Sequence, residues 1–90
     1  MNLKIDDLGG IMTNKDLYIK VFMETFEVAE NDVRDLKYRE SDQWDSIGHM
    51  SLISALEDEF GIEFEPDEIR NIHSFDEGLA MLATKGIEME

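Results

Sequence analysis

One short segment of this 90-residue chain carries residue types that suit covalent chemistry. Asp45 and Ser46 stand just before the apolar positions of the clearest amphipathic segment, so the serine hydroxyl is predicted at a helix N-terminus. Free backbone N–H groups and the positive end of the helix dipole favour a phosphate attached at such a position. Taken alone, Asp and Ser at a helix start predict no more than a cap. Whether the pair does more depends on the sequence around it.

Other reactive arrangements are weak in this sequence. Neither His49 nor His73 has a second nitrogen ligand or a triad partner at motif spacing, and a structural or surface role is the better prediction for both. No twelve-residue window has the spaced oxygen ligands, the glycine and the closing glutamate of an EF-hand loop, so we predict no metal site. The chain has no cysteine, which excludes disulfides, thiolate metal sites and a cysteine nucleophile. The sequence therefore favours a protein that is not itself an enzyme.

The elements that position Asp45 and Ser46 all have helical patterns. Helices are predicted over about 14–29, from Ser46 to a stop at Gly61, from Pro66 through Ile69 or Arg70, and from Phe75 to near Gly86. Between the first two lies a long polar connection whose apolar anchors are Val33, Leu36, Tyr38 and Trp44. The predicted fold is all-α, a four-helix bundle with a short third helix and a long loop between helices one and two. Residues 1–12 are predicted to be a mobile N-terminal leader, 13–86 the domain and 87–90 a C-terminal tail.

The charge is high and unevenly distributed. Twenty-two acidic and eight basic residues give a net charge of −14, and residues 40–69 contain ten acids and no lysine or arginine. Such a surface repels nucleic acid and anionic membranes and attracts proteins with basic surfaces. No apolar run approaches the roughly 20 residues that span a bilayer, and no signal peptide is evident. We therefore expect a cytoplasmic monomer that binds neither nucleic acid nor a membrane.

The segment from Trp44 to Ile62 resembles the acyl carrier protein family. The segment W-D-S-I-G-H-M over 44–50 is similar to the D-S-L motif that opens the second helix of that family. The segment L-E-D-E-F-G-I over 56–62 is similar to the L-E-x-x-F-x-I run that closes the helix. The resemblance extends from about residue 14 to about residue 84, and it implies that residues 13–86 form a carrier protein domain.

The resemblance implies a covalent cofactor on Ser46. In the family, a separate phosphopantetheinyl transferase moves 4′-phosphopantetheine from coenzyme A to the matching serine, and the terminal thiol then carries acyl groups as thioesters. Asp45 would help to orient the transferase and its metal, and Ile47 would contact that enzyme. Acyl-loading and acyl-accepting enzymes of fatty acid, specialised lipid or polyketide biosynthesis would be the other partners. A chain without cysteine can obtain a thiol only from such an arm.

The resemblance also implies two larger sets of residues. Partner enzymes would bind a set on and after helix two: Met50, Glu57, Asp58, Glu63, Glu65 and Glu68. A cleft for the acyl chain would be lined by Tyr38, Met50, Leu56, Phe64, Ile69 and Ile72. Gly48 and Ser51 depart from the carriers of fatty acid synthesis, which commonly have acids there. The pattern of docking charge therefore differs from that of those carriers.

Two other functions stay open. The W-D-S-x-G-H form also fits carriers of aminoacyl or peptidyl groups, because the loading enzyme and not the carrier chooses the cargo. From a different class, the chain could be an acidic interaction module that uses the same helix to bind proteins without any cofactor. Incubation with coenzyme A and a transferase of broad specificity separates a carrier from such a module.

Overall fold

The fold is predominantly α-helical. A computed structural model describes residues 4–5 and 11–89, and side chains from residue 13 onward. Its helices are α1 (Asn14–Phe26), a 3-10 helix (Glu30–Asp35), α2 (Ser46–Phe60), α3 (Pro66–Asn71) and α4 (Phe75–Thr84). Two short strands, β1 (Lys4–Ile5) and β2 (Ile11–Met12), pair antiparallel. The sequence did not predict this pairing within residues 1–12, and the rest of the predicted leader lies outside the described residues.

Helix α1 begins as predicted but ends earlier. Thr13 caps it, since the Thr13 hydroxyl accepts from Asp16 N–H and the Asp16 carboxylate accepts from Thr13 N–H. The predicted end at residue 29 is wrong, because the helix stops at Phe26. Glu27 takes a left-handed conformation with φ of 54°, and its N–H donates to the carbonyl of Met23. This reversal closes the helix without a glycine.

The connection between α1 and α2 packs on the protein through its apolar side chains. Val33 and Trp44 have no solvent exposure, Leu36 is buried, and Tyr38 is half-buried. The 3-10 helix within the connection was not predicted. Beyond it, Tyr38 N–H donates to the carbonyl of His73, which joins the connection to the start of α4. The connection is therefore fixed at both its middle and its end.

Helix α2 spans Ser46–Phe60, and Gly61 follows it in the left-handed conformation with φ of 63°, as the sequence predicts. Helix α3 starts at the predicted proline and extends to Asn71. Helix α4 is capped by Ser74, whose hydroxyl accepts from Glu77 N–H. The Glu77 carboxylate accepts from His73 N–H, one residue before the position that a regular capping box uses.

An aromatic core joins α1, the connection and α4. Its rings lie with centroids 4.8–5.6 Å apart and belong to Tyr18, Phe22, Phe26, Trp44 and Phe75. The Tyr18 hydroxyl donates to the carbonyl of Phe75 at 2.8 Å, so this polar atom is satisfied inside the core. Helix α2 covers the core with three buried side chains: Leu52, Ile53 and Leu56. Within the described residues, no helix has both the length and the apolar character needed to cross a membrane.

Candidate functional site

The N-terminus of α2 is built by Asp45 and presents Ser46. Asp45 has an extended backbone, and its carboxylate oxygen Oδ1 accepts from Gly48 N–H at 2.8 Å. Asp45 is therefore the N-cap, and Ser46 is the first helical residue with an exposed side chain. Since Asp45 supplies the cap, the Ser46 hydroxyl is left available at the positive end of the helix dipole.

Tyr38 is the residue of the long connection that reaches Ser46. The Tyr38 hydroxyl lies 3.4 Å from Ser46 Oγ, and either oxygen can donate. The Tyr38 ring stacks on the His49 ring with centroids 4.5 Å apart and planes inclined by 20°. The stacking on His49, which lies about one turn after Ser46 in α2, thus helps to hold Tyr38 beside Ser46.

His49 has a structural role that sequence reasoning described only in general terms. Its side chain is buried, and Nδ1 accepts from the Trp44 indole N–H at 3.0 Å. Since an indole nitrogen can only donate, the proton of the neutral ring is on Nε2, which donates to the carbonyl of Ile69 at 2.8 Å. His49 therefore links the connection, α2 and α3. A tryptophan five residues before a histidine, across a predicted helix start, is the signal that could have indicated this bond.

Gly48 allows α2 to begin close to α1. A Cβ atom at this position would lie 3.0 Å from the carbonyl oxygen of Gln43 and 3.1 Å from the Phe26 ring. Both distances are tighter than ordinary contacts. A glycine at position 48 therefore has a steric reason in this chain.

The outward side of α2 forms a stripe that starts at Ser46 and has no charged residue before Asp58. A shallow depression runs along it, and the residues that line it, here named the outer stripe, are Ser46, Ile47, Met50, Ser51, Ser54, Ala55 and Asp58. Ile47 is 78% exposed and Met50 is 53% exposed, which is unusual for apolar side chains of this size. Only the last residue of the outer stripe is charged. Sequence reasoning selected Ile47, Met50 and Asp58 but missed the serines and Ala55 between them.

The residues implied for an acyl cleft do not lie together on an open surface. Leu56 and Ile72 have no solvent exposure and Phe64 is 7% exposed, so these three are part of the packed core. Tyr38 and Ile69 are half-buried, whereas Met50 lies on the outer stripe. An acyl chain between α2 and α3 would have to separate side chains that are in contact in this structure.

The acids implied for partner binding differ in their surroundings. Asp58, Glu63 and Glu65 are exposed. The Glu57 carboxylate is half-buried and accepts from Phe64 N–H at 2.9 Å, so it stabilises the turn after α2.

Glu68 is engaged in an ion pair. Its carboxylate lies 2.6 Å from the Lys85 ammonium and also accepts from Glu65 N–H at 2.7 Å. The hydrogen bond from Lys85 lowers the pKa of the Glu68 carboxyl group, and the bond from the backbone of Glu65 contributes to the same shift. Glu57 and Glu68 therefore have structural roles in addition to their charge.

Among the side chains that the structure describes, no group of three or more histidines and acids is arranged to hold a metal ion. No protein-family model matches the chain, and neither a curated protein nor a solved structure matches it. The geometry around Ser46 and the residues of the 44–62 segment are therefore the basis for a functional proposal.

Proposed function

We propose that this chain is a carrier protein that bears 4′-phosphopantetheine on Ser46 and delivers acyl groups to partner enzymes. The observation that carries the proposal is the placement of Ser46. It is the exposed first residue of a helix whose cap is supplied by the preceding aspartate, so its hydroxyl is accessible to a separate enzyme. The absence of cysteine from the chain supports the proposal, because a thioester carrier must then acquire its thiol.

The attachment step needs little from the carrier beyond this placement. Ser46 Oγ loses its proton to a base of the transferase and bonds to the phosphorus next to the pantetheine unit of coenzyme A. The phosphoric anhydride bond on the other side of that phosphorus breaks, and 3′,5′-ADP leaves. Asp45 holds the backbone at the N-terminus of α2, and the dipole of α2 favours the negative phosphodiester that results. When bound, the group supplies a thiol that forms thioesters.

We also propose that the domain has the four-helix arrangement of the acyl carrier protein family, with α3 as its short helix. It acts as a monomer in the cytoplasm and is not itself an enzyme. Its partners are a phosphopantetheinyl transferase and acyl-loading and acyl-accepting enzymes with basic surfaces. Aminoacyl cargo is the alternative within the same proposal, since the loading enzyme selects the cargo.

Mass spectrometry of the intact protein tests the attachment. Wild-type protein incubated with coenzyme A, Mg²⁺ and a transferase of broad specificity should gain one phosphopantetheine unit. Ser46→Ala should gain none, while Ser51→Ala, an exposed serine of the same helix, should gain one as the wild type does. Addition to Ser46→Ala would contradict the assignment. A wild type that stays unmodified would favour the cofactor-free interaction module instead.

Docking of partner enzymes is best tested at Asp58. This acid is exposed and lies at the end of the outer stripe, whereas Glu57 also stabilises the backbone after α2. Asp58→Lys should slow modification by a transferase with a basic surface at low ionic strength, and added salt should reduce the difference from wild type. Glu24→Lys, which makes the same change of charge at an exposed position of α1, is the matched control and should have a smaller effect. Equal rates for the two variants would show that Asp58 is not a docking residue.

A further inference from the structure

The two sides of α2 differ in what they offer to a group attached at Ser46. On the inner side, Leu56 and Ile72 are fully buried and the Trp44–His49–Ile69 hydrogen bonds hold α2 and α3 together. On the outer side, the depression is open, and Ser46 is itself one of its lining residues. A group on Ser46 therefore meets the outer stripe without any rearrangement of the protein.

We propose, on the basis of the proposed function, that the outer stripe of α2 is the binding site of the phosphopantetheine arm. The arm lies along Ile47, Met50, Ser51, Ser54 and Ala55, with its thiol end beside Ala55 and Asp58. The cleft between α2 and α3 stays closed while the arm carries no cargo.

The length of the stripe matches the reach of the arm. From Ser46 to Asp58 there are twelve residues, which span about 18 Å along an α-helix that rises about 1.5 Å per residue. The arm has a linear chain of bonds equal to that of between four and five extended residues, or roughly 15–17 Å. An extended arm thus ends near Ala55 and does not pass the end of α2.

The chemistry of the stripe also matches the arm. The arm has a branched apolar segment next to its phosphate, followed by two amides. Ile47 and Met50 are the exposed apolar side chains nearest Ser46, and covering them removes apolar surface from water. Further along, the hydroxyls of Ser51 and Ser54 can donate to or accept from the amides. Because the stripe has no charge before Asp58, it does not repel the phosphodiester.

Binding on this face has a consequence for partner enzymes. Asp58 is also the residue at which the proposed function places partner docking, and the family resemblance implies that Ile47 and Met50 contact partner enzymes as well. A partner that covers them must displace the arm from the outer stripe, and the displaced arm can then enter the partner's own active site. Docking and release of the arm become one event.

Nuclear magnetic resonance on the modified wild-type protein tests the site directly. Isotope-filtered nuclear Overhauser contacts should connect the methyl and methylene protons of the arm with the Met50 and Ala55 methyl groups. Contacts with Leu56, Phe64 or Ile72 would place the arm between α2 and α3 and overturn the inference. Absence of any contact from the arm to the protein would overturn it as well.

Thiol alkylation gives a second measurement, because the modified protein has a single thiol. With neutral iodoacetamide at high salt, that thiol should react about three- to fivefold more slowly than free pantetheine, since the stripe covers part of the arm. The Ile47→Ser, Met50→Ser double variant should react close to the rate of free pantetheine. The charge-neutral control Ala80→Ser, Ala83→Ser on the exposed side of α4 should stay slow.

The outcomes separate this inference from the proposed function. An intact mass that shows no attached arm removes the proposed function and the inference together. A protein that gains the arm but shows no contacts and reacts as fast as free pantetheine keeps the proposed function and loses only the inference. If the double variant accepts no arm, the contacts measured on the wild type still decide.

Discussion

The two ends of α2 are held by different kinds of interaction. At the N-terminal end, the Trp44 indole donates to the His49 ring, and both rings rest on the aromatic core. At the C-terminal end, Glu57 accepts from Phe64 N–H, and the ion pair of Glu68 and Lys85 joins α3 to the residue that follows α4. A buried bond between neutral rings therefore adds to the Asp45 cap at the end that presents Ser46, whereas charged side chains near the solvent hold the other end.

This difference indicates that the interactions that position Ser46 depend less on the high negative charge of the chain than the interactions after α2 do. Seven of the ten acids of residues 40–69 lie from Glu57 to Glu68, and the other three, Glu40, Asp42 and Asp45, lie before α2. Because a buried hydrogen bond between two neutral rings supports the N-terminal end, the position of Ser46 should respond less to salt than the segment from Glu57 to Glu68 does. Changes in the core, in the cap and in the ion pair test this difference at decreasing magnitude.

The largest effect is expected from Gly78→Ala in α4. A Cβ atom at this position would overlap the Tyr18 hydroxyl oxygen, which is fixed in the core by its bond to Phe75. We expect a loss of about 3 kcal/mol in the free energy of unfolding, as for other overpacked cores. Urea unfolding followed by circular dichroism measures it.

The Tyr18→Phe background is the control for that change. Without the hydroxyl, the nearest atoms to the new Cβ are Tyr18 Cζ at 3.2 Å and Ile72 Cγ2 at 3.5 Å, which small shifts can accommodate. Gly78→Ala should then cost less than about 1 kcal/mol, and the two changes should show a strong coupling energy. Equal costs in both backgrounds would show that the hydroxyl does not set the packing of α4.

The next effect is a loss of stability in alkali. Burial raises the pKa of the Tyr18 hydroxyl far above its usual range, and the negative charge of Asp76 adds to the rise. The folded protein keeps this proton, while an unfolded tyrosine loses it above about pH 10. The contribution of Tyr18 to the free energy of unfolding should thus be fully present below about pH 10 and fall above it by up to about 1.4 kcal/mol per pH unit.

Unfolding midpoints between pH 9 and pH 11 measure this slope. Tyr18→Phe should flatten it, and Tyr38→Phe, which alters the half-buried tyrosine beside Ser46, should leave it unchanged. A slope that survives in Tyr18→Phe would have to come from other groups and would contradict the explanation.

The local signals of the sequence were sufficient for most helix boundaries. Thr13 with Asp16, Gly61, Pro66 and Ser74 act on their own backbone within a few residues, so each can be interpreted without knowing the fold. The end of α1 could not be predicted in this way. Glu27 has no glycine-like freedom, so its residue type gives no signal for the left-handed conformation that it adopts.

The helix start that presents Ser46 was predictable from the sequence, but its surroundings were not. The position of Ser46 after Asp45 follows from capping rules that operate over three residues. The His49 link depends on Trp44 and on the carbonyl of Ile69, which is twenty residues away in sequence. The burial of Leu56 of α2 and of Ile72 after α3 depends in the same way on the whole core, and no local pattern predicts it.

A smaller effect should separate Asp45 from Ser46. Because the Asp45 carboxylate accepts from Gly48 N–H, Asp45→Ala should lower the free energy of unfolding by about 1 kcal/mol. Ser46→Ala keeps this cap and should change it by less than about 0.5 kcal/mol, as at other exposed positions. Thermal unfolding of both variants checks the order. A larger loss for Ser46→Ala would mean that the serine, and not the aspartate, stabilises the helix start.

The smallest effect concerns the ion pair of Glu68 and Lys85. The hydrogen bond from Lys85 lowers the pKa of the Glu68 carboxyl group, so the folded state binds this proton less readily than the unfolded state does. The stabilisation is present above the ordinary pKa of a glutamate, about 4.3, and is lost as the pH falls through the lowered value. Glu68→Gln removes the charge but keeps an oxygen that can accept from Glu65 N–H.

At pH 7 and low salt, Glu68→Gln should therefore melt slightly below the wild type. At an acid pH below the lowered pKa of Glu68 the two melting temperatures should coincide, and moderate sodium chloride at pH 7 should reduce the difference, because salt screens a pair that lies near the solvent. Glu63→Gln, at an exposed acid of the same segment, is the matched control and should raise the melting temperature at low salt by relieving repulsion. A difference between Glu68→Gln and wild type that persists unchanged at every acid pH at which the protein stays folded would show that packing, and not charge, joins α3 to the end of α4.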